Sequence, residues 1–192
     1  MNFWDKVFNL INGMAGKNHL LDSIMVFSSQ KLPYVLATII IVIYLIGVFK
    51  KDKRVRGLAV DAVIFTALNL VISGILSHIW YAPRPFVENS KTHLLYPHKA
   101  DSSFPSDHSL ASMSIALGLN RYSKIVGEIT ICMSILIGIS RVYVGHHYPQ
   151  HVIESFCIVI IMSFVYNKFL SSKVQSIYFK IEKYIPILNK LI

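Results

Sequence analysis

Apolar residues gather into five long blocks, each ended by a short polar or proline-bearing stretch. The blocks run from about Pro33 to Phe49, Gly57 to Trp80, Ser106 to Leu119, Ile125 to Val142 and Pro149 to Phe169. At 1.5 Å per residue the first covers roughly 26 Å, close to the thickness of a bilayer's hydrocarbon core. Five membrane-spanning helices are therefore predicted. The third block is short, so its start is expected in a protein-lined cavity rather than in lipid. Lys50, Lys51, Asp52, Lys53, Arg54 and Arg56 stop the first block. A polar loop from Tyr81 to Phe104, carrying Pro83, Pro85 and Pro97, leads to Pro105 and the third.

The two ends carry a different period. Phe3, Trp4, Val7, Phe8 and Ile11 share one helical face, with Asp5, Lys6 and Asn9 opposite, a pattern that suits a helix lying in the interface. Gly13 and Gly16 break it, and Asn18 is a suitable cap for a second short helix from His19 to Ser29. No basic leader or small-residue cleavage site precedes an apolar core, so a cleavable signal is not expected. Near the other end Ile177, Ile181, Tyr184, Leu188 and Leu191 alternate with Lys180, Lys183 and Lys190, predicting another interfacial helix interrupted at Pro186. The expected architecture is one all-α membrane domain over residues 1–192. Interfacial helices occupy 1–30, a transmembrane core 33–170, and an amphipathic cytoplasmic tail 171–192.

Composition supports that picture. Of 192 residues 54% are hydrophobic and 15% charged, whereas ordinary soluble domains carry about 25% charged residues. The formal charge of +9 would suggest nucleic acid in a soluble chain. Here the basic residues sit between apolar blocks, so a bilayer is the expected partner and nucleic acid is not. Five basic residues lie in the 50–56 loop, two in the 120–124 turn and five in the 168–192 tail, twelve of the nineteen in all. The positive-inside rule places those segments in the cytoplasm, and the 81–104 loop and the turns near 105 and 145 outside a bacterial cytoplasmic membrane. Cys132 and Cys157 lie inside apolar blocks with no zinc or disulfide spacing, and are expected to be buried packing residues. Trp80, Tyr81 and Tyr96 are expected to mark the outer interface.

Three outer segments hold the candidate chemistry: Tyr81-Ala82-Pro83-Arg84-Pro85-Phe86, Phe104-Pro105-Ser106-Asp107-His108-Ser109, and Ser140-Arg141-Val142-Tyr143-Val144-Gly145-His146-His147-Tyr148-Pro149. Arginine offers a planar fork of donors that fits phosphate oxygens. A helix beginning at Ser106 directs free N–H groups and a positive dipole end to the same place. Histidine can attack phosphorus or pass a proton near neutral pH. These residues make a phosphoryl-transfer kit, without showing which histidine attacks. His147 and His151 also have the i, i+4 spacing of zinc ligands, with His146 or Asp107 available as a third. Pro149 between them argues against a regular helix there, and no metal or other cofactor is expected.

The order Arg-Pro, Pro-Ser-x-His and Ser-Arg-x5-His resembles the type 2 phosphatidic acid phosphatase superfamily. Adding Tyr96-Pro97-His98-Lys99-Ala100-Asp101, Ser103–His108, Arg141–Pro149 and Leu21–Phe27 brings the resemblance closer to its bacitracin-resistance undecaprenyl-diphosphate phosphatases, over roughly residues 2–170. The resemblance implies that His147 is the nucleophile of a phosphohistidine intermediate, that His108 protonates the leaving group, and that Arg84 and Arg141 clamp the phosphoryl oxygens. Ser106 and the backbone N–H groups of Asp107 and His108 would complete the pocket, with Pro85, His98 and Asp101 on the substrate side. It also implies the reaction: undecaprenyl diphosphate to undecaprenyl phosphate plus orthophosphate on the outer leaflet, recycling a cell-wall carrier lipid and conferring bacitracin resistance.

Two positions depart from the superfamily pattern. Ser77, followed by His78, stands where a lysine is usual. His151 stands where an aspartate usually orients the nucleophile; a neutral imidazole there brings no negative charge. Glu154 falls near the same helical face and is a candidate substitute. The alternatives are a broader phosphatase acting on phosphatidic acid or phosphatidylglycerol phosphate, and a catalytically impaired homologue that binds lipid headgroups. A vanadate-dependent haloperoxidase shares the site plan but is soluble and larger. The orientation is directly testable: a cysteine label at Lys53 should react only from the cytoplasmic side and one at Asn89 only from outside, and labels on the same side would remove the second span.

Overall fold

The structure, a computed structural model, describes residues 3–184. Its helices are α1 (Phe3–Asn12), α2 (His19–Gln30), α3 (Leu32–Phe49), α4 (Lys53–Ile79), α5 (Pro85–Glu88), α6 (Asp107–Asn120), α7 (Lys124–Tyr143), α8 (Pro149–Phe169) and α9 (Ser171–Glu182), with no strand among the described residues. The all-α expectation holds. Asn18 caps α2 as anticipated, its side chain accepting from the Leu21 N–H at 3.1 Å. The expected interruption at Pro186 and the positions Leu188, Lys190 and Leu191 lie outside the described residues.

Four helices, α3, α4, α7 and α8, are long and apolar enough to cross a membrane. The fifth expected span, α6, has 14 residues, about 21 Å at 1.5 Å per residue. It packs against all four of the others, and Leu110, Met113, Ile115, Ala116 and Leu119 are buried. A helix enclosed on all sides shows no single apolar stripe. Its serines are satisfied internally: Ser112 and Ser134 hydroxyls lie 2.8 Å apart, and Ser114 donates to the Leu110 carbonyl at 2.8 Å. Outward faces of the long helices carry exposed Ile41, Val71, Ile129, Ile161 and Phe164, as a lipid-facing surface requires.

Two expectations are corrected. Cys132 and Cys157 are exposed rather than buried, because the outside of a membrane helix is as apolar as its inside. The basic run after α3 is not all loop. Asp52 accepts from the Val55 N–H at 3.1 Å and starts α4 at Lys53, so Arg54 and Arg56 are helical. Helix α1 packs Phe8 against Val142 and Val152 while Phe3 and Leu10 stay exposed. The short α5 is an addition, lying inside the stretch expected as loop.

The bundle end holding the α3–α4 turn and α9 is fastened by buried polar groups. Arg56 Nε donates to Glu182 Oε1 at 2.7 Å, and Arg56 Nη1 to the Gly47 carbonyl at 3.1 Å. Asp61 receives Arg121, the Tyr166 hydroxyl at 2.8 Å and the Ser171 hydroxyl at 2.8 Å, joining α4, α8, α9 and the turn after α6. The contact between α4 and α6 is close because Gly118 faces Ala62; a Cβ at 118 would stand 2.6 Å from the Ala62 Cβ. Gly118→Val should therefore over-pack this crossing and destabilise the bundle by about 1–3 kcal/mol, read as a lowered unfolding temperature in detergent.

Candidate active site

At the opposite end of the bundle meet the C-termini of α2, α4 and α7 and the N-termini of α6 and α8. Arg84 sits just ahead of α5, its backbone set between Pro83 and Pro85. Arg141 is in the last turn of α7. Gly145, at φ +86°, then turns the chain so that His146 and His147 fold back, and both their N–H groups reach the Arg141 carbonyl. A Cβ at Gly145 would meet the His93 carbonyl at 2.7 Å, so the turn requires glycine twice over. Arg84, Arg141, His146 and His147 are all buried.

The His147 tautomer follows from its neighbours. Nδ1 lies 2.8 Å from the Ser103 carbonyl, which can only accept, so Nδ1 carries the proton. Nε2 then holds a lone pair, 3.0 Å from Arg84 Nη1, which donates to it. Ser103 is fully buried and held by its N–H bond to the Ala82 carbonyl at 2.7 Å. His151 does not bond His147; its Nδ1 lies 2.9 Å from the Ser103 hydroxyl, and its ring packs on Phe104 and Tyr148. Glu154 is exposed, on the rim of a cavity of about 360 Å³ that it shares with Trp80, Gln150 and His151. The orienting contact looked for at 151 is supplied by a backbone carbonyl, which no residue pattern announces.

Both arginines are held by other residues. Arg84 Nε and Nη2 each lie 2.7 Å from Asp101 Oδ1, and Nη1 also donates to the His146 carbonyl at 3.0 Å. Arg141 Nη1 donates to the Ser29 hydroxyl at 3.0 Å and the Tyr96 hydroxyl at 2.9 Å. Its Nη2 lies 3.0 Å from His98 Nε2, and Nε is buried with no hydrogen-bond partner among the described residues. Asp101 and His98, expected toward substrate, thus touch the arginines. Tyr96 turns inward instead of marking the interface.

Ser106 is buried at the head of α6; its N–H donates to the Ser155 hydroxyl at 2.8 Å and its hydroxyl pairs with Ser109. The Asp107 carboxylate accepts from the Ser73 hydroxyl at 2.5 Å, so its side chain faces α4. Pro85 is buried, and its carbonyl accepts from the Thr92 hydroxyl at 3.1 Å. Ser77 and His78 both bond back to the Gly74 carbonyl on the exposed side of α4. His108 lines a groove of about 340 Å³ with Pro33, Tyr34, Ala37, Leu70, Ala111 and Ile115. Ser29 and Ser103 escape the sequence reading; the only signal for Ser29 is a serine pair closing an amphipathic helix. Among the described residues no three His, Cys, Asp or Glu side chains converge as metal ligands would.

Burial, then the charges of Arg141 and Arg84, hold His147 well below the usual histidine pKa. Burial and Arg141 push His146 down to about 2, and burial lowers His98. The pocket therefore holds neutral imidazoles beside two cations.

Fold and site together define a helical membrane phosphatase. The chain belongs to the PAP2 superfamily, whose model matches residues 58–174. It is 33% identical over 191 residues to the undecaprenyl-diphosphatase BcrC of Bacillus subtilis (strain 168), covering 100% of this chain and 95% of that protein. It is 31% identical over 144 residues to the putative undecaprenyl-diphosphatase YbjG of Escherichia coli (strain K12), covering 74% and 70%. Among solved structures, Aquifex aeolicus LpxE superposes with a TM-score of 0.71 at 27% identity, covering 88% of this chain and 100% of that one.

The neutral histidines make stability depend on pH. An unfolded histidine takes a proton near pH 6.5, whereas folded His147 does not until the pH is well below that. Between those values the unfolded state binds more protons, so stability falls as pH falls. The unfolding temperature in detergent should drop from pH 7.5 to 5.5, and His147→Gln should flatten that dependence.

Proposed function

We propose that this enzyme dephosphorylates undecaprenyl diphosphate to undecaprenyl phosphate and orthophosphate at the outer leaflet, through a phosphohistidine on His147. The observation that carries the mechanism is the His147 tautomer: Nδ1–H committed to the Ser103 carbonyl, and the Nε2 lone pair facing Arg84. The names of the Bacillus and Escherichia relatives support the substrate.

Nε2 attacks the terminal phosphorus as the bridging P–O bond breaks. Arg84, Arg141 and the backbone N–H groups at the head of α6 receive the phosphoryl oxygens and stabilise their charge. The phosphorylated ring becomes cationic, and the Ser103 carbonyl stabilises its Nδ1–H. His108, whose protonated form the negative charge of the bound diphosphate favours, gives its proton to the departing lipid monophosphate. Water then attacks the phosphohistidine, returning a proton to His108 and releasing orthophosphate from a neutral His147. The groove beside His108, with Leu70, Ala111 and Ile115 in its wall, supports this order, because the acid stands where a lipid leaving group must lie. Arg141 Nε, a buried donor without a hydrogen-bond partner among the described residues, is matched by a phosphoryl oxygen.

In a bacterial membrane this reaction returns the carrier lipid to cell-wall export and lowers the diphosphate that bacitracin captures, so expression should raise bacitracin resistance. Phosphate release by the purified protein should be faster with undecaprenyl or farnesyl diphosphate than with phosphatidic acid; the reverse order would make it a broader lipid phosphatase. Release should persist in EDTA and be inhibited by vanadate, whose trigonal form resembles the transition state. His147→Ala should abolish turnover, and His108→Ala should lower it by about 10²–10⁴-fold. His151→Asp should change kcat by less than about 10-fold, because the group in contact with His147 is the Ser103 carbonyl; a gain approaching the 10⁴-fold worth of a triad carboxylate would restore position 151 as the orienting one.

A further inference from the structure

We propose that Ser29 and Tyr96 are positioning residues for Arg141, and that α2, which lies ahead of the superfamily match at residues 58–174, is thereby a working part of the catalytic site. This rests on Arg141 acting as a phosphoryl clamp.

A guanidinium carries five N–H donors and no acceptor, so inside a protein its direction is set by whichever acceptors surround it. Arg141 is 1% exposed. Two acceptors converge on its Nη1, the Ser29 hydroxyl at 3.0 Å and the Tyr96 hydroxyl at 2.9 Å, and these two oxygens are themselves 2.6 Å apart. His98 takes Nη2. With both terminal nitrogens held from α2 and from the 81–104 loop, Nε is the guanidinium nitrogen left without a hydrogen-bond partner among the described residues. Three neutral side chains fix the fork without neutralising it, so its charge stays available to an anion. A carboxylate in place of Ser29 would have held the guanidinium equally well and cancelled its attraction for phosphate.

Helix α2 is built to hold Ser29 in place. Ser28 and Ser29 face inward and are 2% and 0% exposed, while Leu20, Ile24 and Phe27 on its other side are exposed and apolar. Asp22 accepts from the Tyr143 hydroxyl at 2.7 Å and from the Gly16 N–H at 3.1 Å. Tyr143 is two residues beyond Arg141, so α2 is bonded to the end of α7 both at the arginine and just past it. Asn12, at the end of α1, donates to the Tyr143 and His93 carbonyls at 2.8 and 2.9 Å, tying the same corner to the loop that carries Tyr96 and His98. The N-terminal helices thus determine where the arginine points, although they contribute no group to the reacting atoms.

The test uses the full-length protein in detergent, with farnesyl diphosphate for turnover and vanadate for calorimetric binding. Ser29→Ala should lower kcat/KM by roughly ten-fold or more, as expected for losing a hydrogen bond to a charged group, and weaken vanadate binding in parallel. Ser29→Thr should restore both. In an Arg141→Lys background, Ser29→Ala should cost less than about 2-fold, since the fork it positions is gone. The proposal is overturned if Ser29→Ala leaves kcat/KM and vanadate affinity at the natural values, or if its deficit is equally large in the Arg141→Lys background. Tyr96→Phe serves the same comparison should Ser29→Ala fail to fold. A natural protein that binds vanadate yet releases no phosphate would sink the phosphatase mechanism alone, because the binding comparison still decides the role of Ser29. A natural protein that binds no vanadate would remove both.

Discussion

Two guanidinium groups lie buried at one end of the bundle, and the residues around them are arranged to keep them there. Like charges repel, and burial strengthens the repulsion by lowering the local dielectric. Each arginine therefore needs a set of acceptors that reaches it from several directions. Arg84 has the Asp101 carboxylate, the His146 carbonyl and the His147 ring. Arg141 has Ser29, Tyr96 and His98. These partners come from α2, the 81–104 loop and the turn before α8, segments that touch only because the long helices bring their ends together. The short α6 begins beside these groups, with Ser106 buried at its head and Asp107 bonded to Ser73.

The same arginines govern the histidines. A protonated imidazole beside two cations in a buried pocket is disfavoured by desolvation and by charge alike. His98, His146 and His147 are all held neutral for these reasons. That suits the nucleophile proposed for His147, because attack needs an unprotonated nitrogen. The Ser103 carbonyl then decides which nitrogen is unprotonated. A carbonyl has a partial negative charge and is fixed by the backbone, so it can hold a ring whose charge rises during attack. This is why the absence of an aspartate at position 151 leaves the ring oriented.

The helices, and the three segments that meet at one end of the bundle, are legible in the sequence because both rest on local signals. Apolar blocks have the length of a bilayer, and Pro-Arg-Pro, Pro-Ser-Asp-His and Arg-x5-His place charged groups at helix ends. What is not legible depends on tertiary contact. Tyr96 looks like an interface anchor because an aromatic residue beside an apolar block usually is one; only the packing of the loop against His146 turns it toward Arg141. The Cys132 and Cys157 expectation fails for a more general reason. Burial in a bundle and exposure to lipid select the same residues, so hydropathy cannot separate them. Ser103 acts through its backbone, and an acceptor carbonyl is available from every residue type. Arg56 reads as one of the solvated stop charges, yet it is buried against Glu182, a partner 126 positions away.

Charge balance sets Arg141 apart from Arg56, Arg84 and Arg121. Arg56 faces Glu182, Arg121 faces Asp61 and Arg84 faces Asp101. Arg141 makes no ion pair among the described residues, and its hydrogen-bond partners are two hydroxyls and an imidazole. At the α9 end, the fastening arginines are paired with carboxylates, which suits groups whose work is to hold helices together. At the opposite end the pairing is incomplete, and the carboxylate on Arg84 comes from Asp101, whose side chain is 58% exposed. A solvated carboxylate on a loop can give way to a phosphoryl oxygen at little cost, since water takes over its hydrogen bonds. A buried one such as Asp61 could not. Arg141 is thus left without an ion-pair partner among the described residues and Arg84 is held by an exchangeable one, an arrangement that suits a site proposed to bind an anion of two or more charges and then release it.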